Sequence, residues 1–170
     1  MTEREQQSIF ESWLGQYKGL FLKIVRAYAR DPTDMDDLFQ EMALQVWRSI
    51  PAFKGGSSAS TWIYRVAINS ALNWVRKERR YRSVEDISVA VLVTASDGGA
   101  FADERLSWLY NAIHELEAVD RSIALLLLEG FSYKEMAAII GISVSHIGVK
   151  VVRIKKQLIV LSKKTDHHGI

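Results

Sequence analysis

Between Gly130 and Lys156 the sequence leaves the backbone little choice. Ser132-Tyr133-Lys134-Glu135 has the form of a capping box, in which a serine hydroxyl and a glutamate satisfy each other's orphan amide donors at a helix start. Met136, Ala137 and Ile140 give that helix an inner face, and Gly141 ends it after barely two turns. Ser143 can cap a further helix, which leaves Gly141 and Ile142 for the turn. Two short helices across a glycine turn read as a helix-turn-helix. In the second helix Ile147, Val151, Ile154 and Leu158 point inward, leaving Ser145, His146, Val149, Lys150 and Arg153 for a major groove or its phosphates.

The N-terminal half is helical by the same periodicity. Phe10, Trp13, Leu14, Tyr17, Phe21, Ile24, Val25 and Tyr28 make one stripe of a helix over residues 7–30, which Asp31-Pro32 breaks. Thr33 or Asp34 can cap a second helix from Met35. Its stripe is Met35, Leu38, Phe39, Met42, Ala43, Val46, Trp47 and Ile50, and Pro51 ends it. The opposite face carries Asp37, Gln40, Glu41 and the apolar Leu44, a combination that points to a partner rather than to solvent. A loop of small residues follows, Lys54-Gly55-Gly56-Ser57-Ser58-Ala59-Ser60, able to approach a ligand closely and to cap the next helix. That third helix starts at Thr61. Ile63, Val66, Ala67, Ser70, Ala71 and Trp74 are its inward stripe, while Tyr64, Arg65, Ile68, Asn69, Leu72, Asn73 and Arg76 face elsewhere. It runs into Arg76-Lys77-Glu78-Arg79-Arg80-Tyr81-Arg82, and an aromatic and amide face continuing into such a run has the composition of a nucleic-acid surface. Trp13, Trp47 and Trp74 read as core.

Charge separates the blocks. Residues 1–50 hold 6 basic and 8 acidic side chains, 51–82 hold 7 and 1, 83–120 hold 1 and 8, and 121–170 hold 8 and 3. Two basic blocks flanking an acidic one fit two nucleic-acid contacts joined by a segment that avoids the duplex. Residues 83–103 read as that flexible acidic linker, and the apolar stretch 87–93 within it fits a short strand, an added helix turn or an extended segment. Helices resume at Glu104 with the stripe Leu106, Leu109, Tyr110, Ile113 and Leu116. Ile123, Leu126 and Leu127 belong to another that starts near Asp120 and stops at Gly130. The tail 163–170 lacks a stripe and reads as frayed. Zero cysteines exclude disulfides and thiolate metal sites, and the tail pair His167-His168 reads as solvated rather than metal-binding. Neither a membrane span nor a signal peptide is evident, so a cytoplasmic protein without membrane insertion is expected.

The expected fold is therefore all-α: a three- to four-helix bundle over 1–82, the linker 83–103, a helix-turn-helix domain over 104–162 and the tail. Asp36-Asp37-Leu38-Phe39-Gln40-Glu41, Phe53-Lys54-Gly55 and Thr61-Trp62-Ile63-Tyr64-Arg65-Val66-Ala67-Ile68-Asn69 resemble region 2 of the sigma-70 family of bacterial RNA polymerase specificity subunits. Gly130-Phe131-Ser132-Tyr133-Lys134-Glu135-Met136-Ala137 through Gly141-Ile142-Ser143 to Lys155 resembles region 4. The short two-domain chain is similar to the extracytoplasmic-function branch. That resemblance implies that Asp37, Gln40, Glu41 and Leu44 dock on the clamp helices of the polymerase largest subunit, with the flap as a further contact. It implies that Lys54, Ser57, Ser58 and Ala59 belong to a loop holding a base flipped from the minus-ten element. Trp62, Tyr64, Arg65 and Asn69 would line the neighbouring strand, and Arg76, Arg79 and Arg80 the upstream phosphates. Ser143, Ser145, His146, Val149, Lys150, Arg153 and Lys155 would meet the minus-thirty-five duplex. Gly148-Val149 departs from the family's basic and small polar pair there, which leaves Val149 to touch a thymine methyl. An anti-sigma factor is the further partner implied. No cofactor, small-molecule substrate or catalytic group is called for.

Two rivals fit less of the chain. A free-standing helix-turn-helix repressor leaves the Asp37 face, the loop and the aromatic helix without a role. A DNA-processing enzyme needs a nucleophile among arginines or a carboxylate metal cluster, and no G-x-x-x-x-G-K-[ST], H-E-x-x-H or G-x-S-x-G run is present. Asp34, Asp36 and Asp37 imitate such a cluster, but Asp34 and Asp36 face different ways on a helix.

Overall fold

The computed structural model describes residues 1–82 and 104–166, and for residues 82, 165 and 166 the backbone only. The segment 83–103, with the apolar stretch 87–93, and the histidines His167 and His168 lie outside the described residues. Among the described residues, seven α-helices and one 3-10 turn account for the regular structure and no strand occurs.

The first three helices, α1 (Glu3–Tyr28), α2 (Pro32–Ser49) and α3 (Ala59–Arg82), pack on one another as one compact unit. Helix α1 starts earlier than the apolar stripe predicts because Thr2 and Glu5 form a capping box, with the Thr2 amide donating to Glu5 Oε2 at 2.6 Å. At the start of α2, Asp31 rather than Thr33 or Asp34 is the cap. Its Oδ1 accepts the Asp34 amide at 2.8 Å, and Pro32 occupies the first turn, where its missing N–H costs nothing. The core stacks Phe21, Ile24 and Tyr28 of α1 on Leu38, Met42 and Val46 of α2 and on Ile63, Ala67, Ile68 and Ala71 of α3. Trp13 is buried, whereas Trp47 and Trp74 are half-buried. Trp47 stands edge-on to Phe10 at 5.4 Å, and its carbonyl accepts from Gln6.

The second unit is α4 (Glu104–His114), α5 (Ala118–Leu128), α6 (Tyr133–Ile140) and α7 (Val144–Asp166). Ile113, Leu116, Ile123, Leu126, Met136, Ile139, Ile147, Val151 and Ile154 fill its core. Of the expected inner face of α6, Met136 is buried and Ala137 and Ile140 are half-buried, with Ile139 buried in addition. Leu106 is exposed rather than on the stripe, and α7 continues through Asp166, so residues 163–166 are helical rather than frayed. Gly130 and Gly141 take the left-handed conformation (φ 79° and 84°) that ends α5 and α6, which an L side chain would strain.

The capping box of α6 is formed as its sequence predicts: Ser132 Oγ accepts the Glu135 amide at 3.2 Å, and the Ser132 amide donates to Glu135 Oε2 at 2.7 Å. Ser132→Ala is expected to cost about 1 kcal/mol of the unit's stability, read from its thermal midpoint. The donated bonds, the backbone one first, hold the Glu135 carboxyl below its ordinary value of 4.5. A depressed folded value contributes stability above the unfolded value and loses it as pH falls through the folded one. Glu135→Gln should therefore lower the midpoint at neutral pH, with a gap to wild type that closes as the carboxylate is protonated.

Candidate nucleic-acid interface

The small-residue loop between α2 and α3 is tied down at both ends by one aromatic cluster. Phe53 stands edge-on to the buried Trp13 at 5.3 Å and tilted against Trp62 at 5.6 Å. The Trp62 indole N–H donates to Ser49 Oγ at 3.0 Å, at the end of α2. Ser58 caps α3, its Oγ accepting the Thr61 amide at 3.2 Å, so the helix begins at Ala59 and not at Thr61. Lys54, Gly55, Gly56, Ser57 and Ser58 are exposed between these anchors, with Gly55 at φ 73°, and Ala59 is half-buried. A short exposed loop on rigid ends is a surface whose small residues admit a ligand without first being ordered.

Along α3, Arg65, Asn69, Asn73, Arg76 and Arg80 follow the three-and-four spacing and are all exposed. Arg65 to Arg80 spans about 22 Å of helix axis, the length of roughly six to seven nucleotides of one B-form strand. Asn69, Asn73, Arg76, Lys77 and Arg80 line an open groove whose other wall is Glu41, Gln45, Arg48 and Ser49 of α2. Of the predicted minus-ten residues, Asn69, Arg76 and Arg80 are thus brought together, while Arg79 is exposed outside the groove lining. Gln45, Arg48, Asn73 and Lys77 are additions. Arg48, on the same helix face as Leu44 and Glu41, carried a readable signal, since i, i+4 and i+7 share a side of a helix.

Two aromatic assignments divide. Tyr64, expected beside the single strand, is only 6% exposed and sits with Ile63, Ala67 and Ile68 in the core, so in this structure it packs the unit instead of facing DNA. Ile68 and Leu72 are likewise buried, not outward. The cause is that α3 packs against both α1 and α2 and so buries a wider, rotated face than one stripe. Trp62 is half-buried, with its ring on Phe53 and its N–H on Ser49.

On the neighbouring side of α2, Asp37, Gln40 and Leu44 are exposed and Glu41 is half-buried, its Oε1 accepting from Gln45 Nε2 at 2.9 Å. With Ser70, Asn73, Trp74 and Lys77 of α3 they line a second open groove. Leu44, 41% exposed, and the half-buried Trp74 are its apolar lining, beside the carboxylates and amides. Asp34 does not join Asp36 and Asp37 in a cluster. It accepts the Arg30 amide, and partial burial is the main reason its carboxyl is raised. Among the described residues no group of three or more His, Cys, Asp or Glu can hold a metal ion.

In the second unit α6 and α7 are bent by 102° across the turn, a helix-turn-helix angle. Ser143 Oγ caps α7, accepting the His146 amide at 3.1 Å. Ser143, Ser145, His146, Val149 and Lys155 are exposed, Val149 by 68%. Adding a Cβ at Gly148 would meet only Tyr133, at 3.8 Å, so the position is not closed to side chains. Lys150 and Arg153 are engaged inside the unit. Lys150 Nζ donates to Asp120 Oδ1 at 2.7 Å and Arg153 Nη2 to Asp120 Oδ2 at 2.6 Å. The hydrogen bond and charge of Asp120, in that order, raise the Arg153 guanidinium above its ordinary value. Lys150 is thereby half-buried, while the Arg153 side chain stays 57% exposed. Among the described residues no single helix is long and apolar enough to cross a membrane, and α6 with α7 reaches that length only across the bend.

Family models match both units: Sigma-70 region 2 over residues 13–81 and Sigma-70 region 4 over residues 106–158. The chain is 28% identical to the ECF RNA polymerase sigma-E factor of Haemophilus influenzae, over 93% of this chain and 91% of that protein. It is 25% identical to the protein of that name from Escherichia coli K12, over 92% and 88%. Among solved structures it resembles the sigma factor RpoE from Bartonella quintana in its complex with the anti-sigma factor NepR, with TM-score 0.73 and 23% identity over 91% of this chain and 96% of that one. CnrH, in complex with the cytosolic domain of CnrY, gives TM-score 0.66 and 19% identity over 93% and 90%.

Proposed function

The chain belongs to the sigma-70 family, in its extracytoplasmic-function branch, and on that premise we propose how its two units divide the work of a promoter-directing initiation factor. The first unit takes the core polymerase on the groove of Asp37, Gln40, Glu41 and Leu44. It takes the minus-ten element on the anchored loop and the line Arg65, Asn69, Asn73, Arg76 and Arg80. The second unit lays α7 on the minus-thirty-five duplex through Ser143, Ser145, His146, Val149 and Lys155. The observation that carries this reading is the exposed loop fixed at both ends by Phe53 and Trp62 and continuing into a basic and amide helix face.

Opening follows from differential binding. Unstacking a base costs a few kcal/mol, and a pocket that receives the extruded base offsets this only for the melted strand. Arginines along α3 then hold strand phosphates irrespective of sequence. The loop gives the base preference and the helix gives the hold. No step requires a nucleophile, an acid or a metal, so the factor acts without catalysis, in the cytoplasm where the promoter is. The complex of the similar RpoE with NepR supports an anti-sigma factor as a partner of this chain also.

The test is reconstitution with core RNA polymerase on promoters selected from a random pool, with permanganate reactivity of thymines as the readout of opening. Exchanging Ser57-Ser58-Ala59 for the loop of a relative should change the selected minus-ten base and leave core association unchanged. An unaltered base preference would remove the loop from specificity, and failure to bind core at all would remove the reading.

A further inference from the structure

Asp120 is the one charged residue among the described residues that is buried, with a side chain 3% exposed. Both of its oxygens are occupied by cations from a single helix, Lys150 on Oδ1 and Arg153 on Oδ2. A carboxylate withdrawn from water persists where opposite charge and hydrogen bonds replace its hydration, and here each oxygen has one such partner. Lys150 and Arg153 are three apart on α7 and so lie on one flank of it. Their shared acceptor stands in the first turn of α5, a different helix, so the two bonds tie one flank of α7 to α5. Glu117, at the start of α5, adds a second negative charge felt by Arg153. Arg153 is 57% exposed and long enough to swing into solvent, yet its Nη2 lies on the Asp120 carboxylate at 2.6 Å.

We propose that Asp120 is a positioning residue for DNA binding: it sets the rotation of α7 and withholds Lys150 and Arg153 from the phosphates. The helix then meets the duplex through Ser145, His146, Val149 and Lys155, and sequence-independent attraction is smaller than the cations of α7 would otherwise give. This rests on the reading of α6 and α7 as a duplex-binding pair and adds to it the residue that limits its charge.

The full chain is titrated onto a fluorescein-labelled duplex of random sequence over a salt series, with thermal midpoints measured in parallel. Arg153→Gln in the wild-type chain should leave the slope of log affinity against log salt unchanged. Asp120→Asn should steepen it, by up to about 1.8 for two released cations at about 0.9 each. Adding Arg153→Gln to Asp120→Asn should take back about 0.9. A slope that drops by about 0.9 on Arg153→Gln alone overturns the proposal, because the guanidinium then lies on a phosphate. So does an Asp120→Asn chain with a lowered midpoint and an unchanged slope, because the carboxylate then serves only the fold. Should Asp120→Asn fail to fold, the exposed Arg153→Gln decides alone. A wild-type chain without salt-dependent duplex binding refutes the duplex reading itself and takes the proposal with it, a result distinct from the other two.

Discussion

Tyr64→Ala is expected to lower the stability of the first unit by about 3–5 kcal/mol and to abolish promoter opening equally on duplex and pre-melted templates. Truncating a buried aromatic removes its transfer free energy and leaves a cavity that Ile63, Ala67 and Ile68, themselves buried, cannot close. Small domains have only about 5–15 kcal/mol in total, and for a unit of this size each kcal/mol moves the midpoint by about 4–8 °C, so the loss is visible directly in a melt. Asn69→Ala is the contrast. It lies exposed on the α3 line, should leave the stability within about 0.5 kcal/mol of wild type, and should slow opening on the duplex more than on the bubble, where unstacking is already done. A Tyr64→Ala chain with a wild-type midpoint and a defect confined to duplex templates would put the ring on DNA and reverse the assignment.

Tyr64 also shows what a sequence can and cannot supply. The presence and order of the helices were legible because each carries an apolar repeat and four of them, α1, α2, α5 and α6, are bounded by residues with one local meaning: Asp31-Pro32, Pro51, Gly130, the Ser132 box and Gly141. The rotation of a helix was less legible. One stripe suits a helix with one neighbour, but α3 has two, and its buried face shifts from Val66 and Trp74 toward Tyr64, Ile68 and Leu72. The exposed line of α3 survives that shift, because arginine and asparagine stay outside under either rotation. Asp120 was not legible at all. Nothing in its local sequence announces a buried acid, and its partners lie 30 and 33 residues away, so Lys150 and Arg153 looked like any other cations of a recognition helix.

Core association should depend most on the acidic face of α2, and Asp37→Lys is expected to weaken it by about 3 kcal/mol, roughly 100-fold. Asp37 is exposed, so the reversal leaves the fold with little to lose, whereas Glu41 is half-buried and holds Gln45. Asp37 therefore separates binding from stability more cleanly than Glu41. The groove beside it is lined by the polar Asp37, Gln40 and Glu41 and the apolar Leu44 and Trp74, with Lys77 of α3 as its cation. A partner that fills it is best matched by cations against Asp37 and Glu41 and an apolar side chain against Leu44 and Trp74. Reversal places like charges in register, where the cost appears mainly in the association rate and grows as salt is lowered. Leu44→Ala removes the apolar contact instead, and its effect should be nearly independent of salt, since no charge is lost. Both variants should melt like wild type. Surface plasmon resonance of each variant against immobilised core polymerase at two salt concentrations separates these terms. Core affinity unchanged by Asp37→Lys at low salt would sink the docking face, and a Leu44→Ala defect that disappears at high salt would show that Leu44 acts through its charged neighbours.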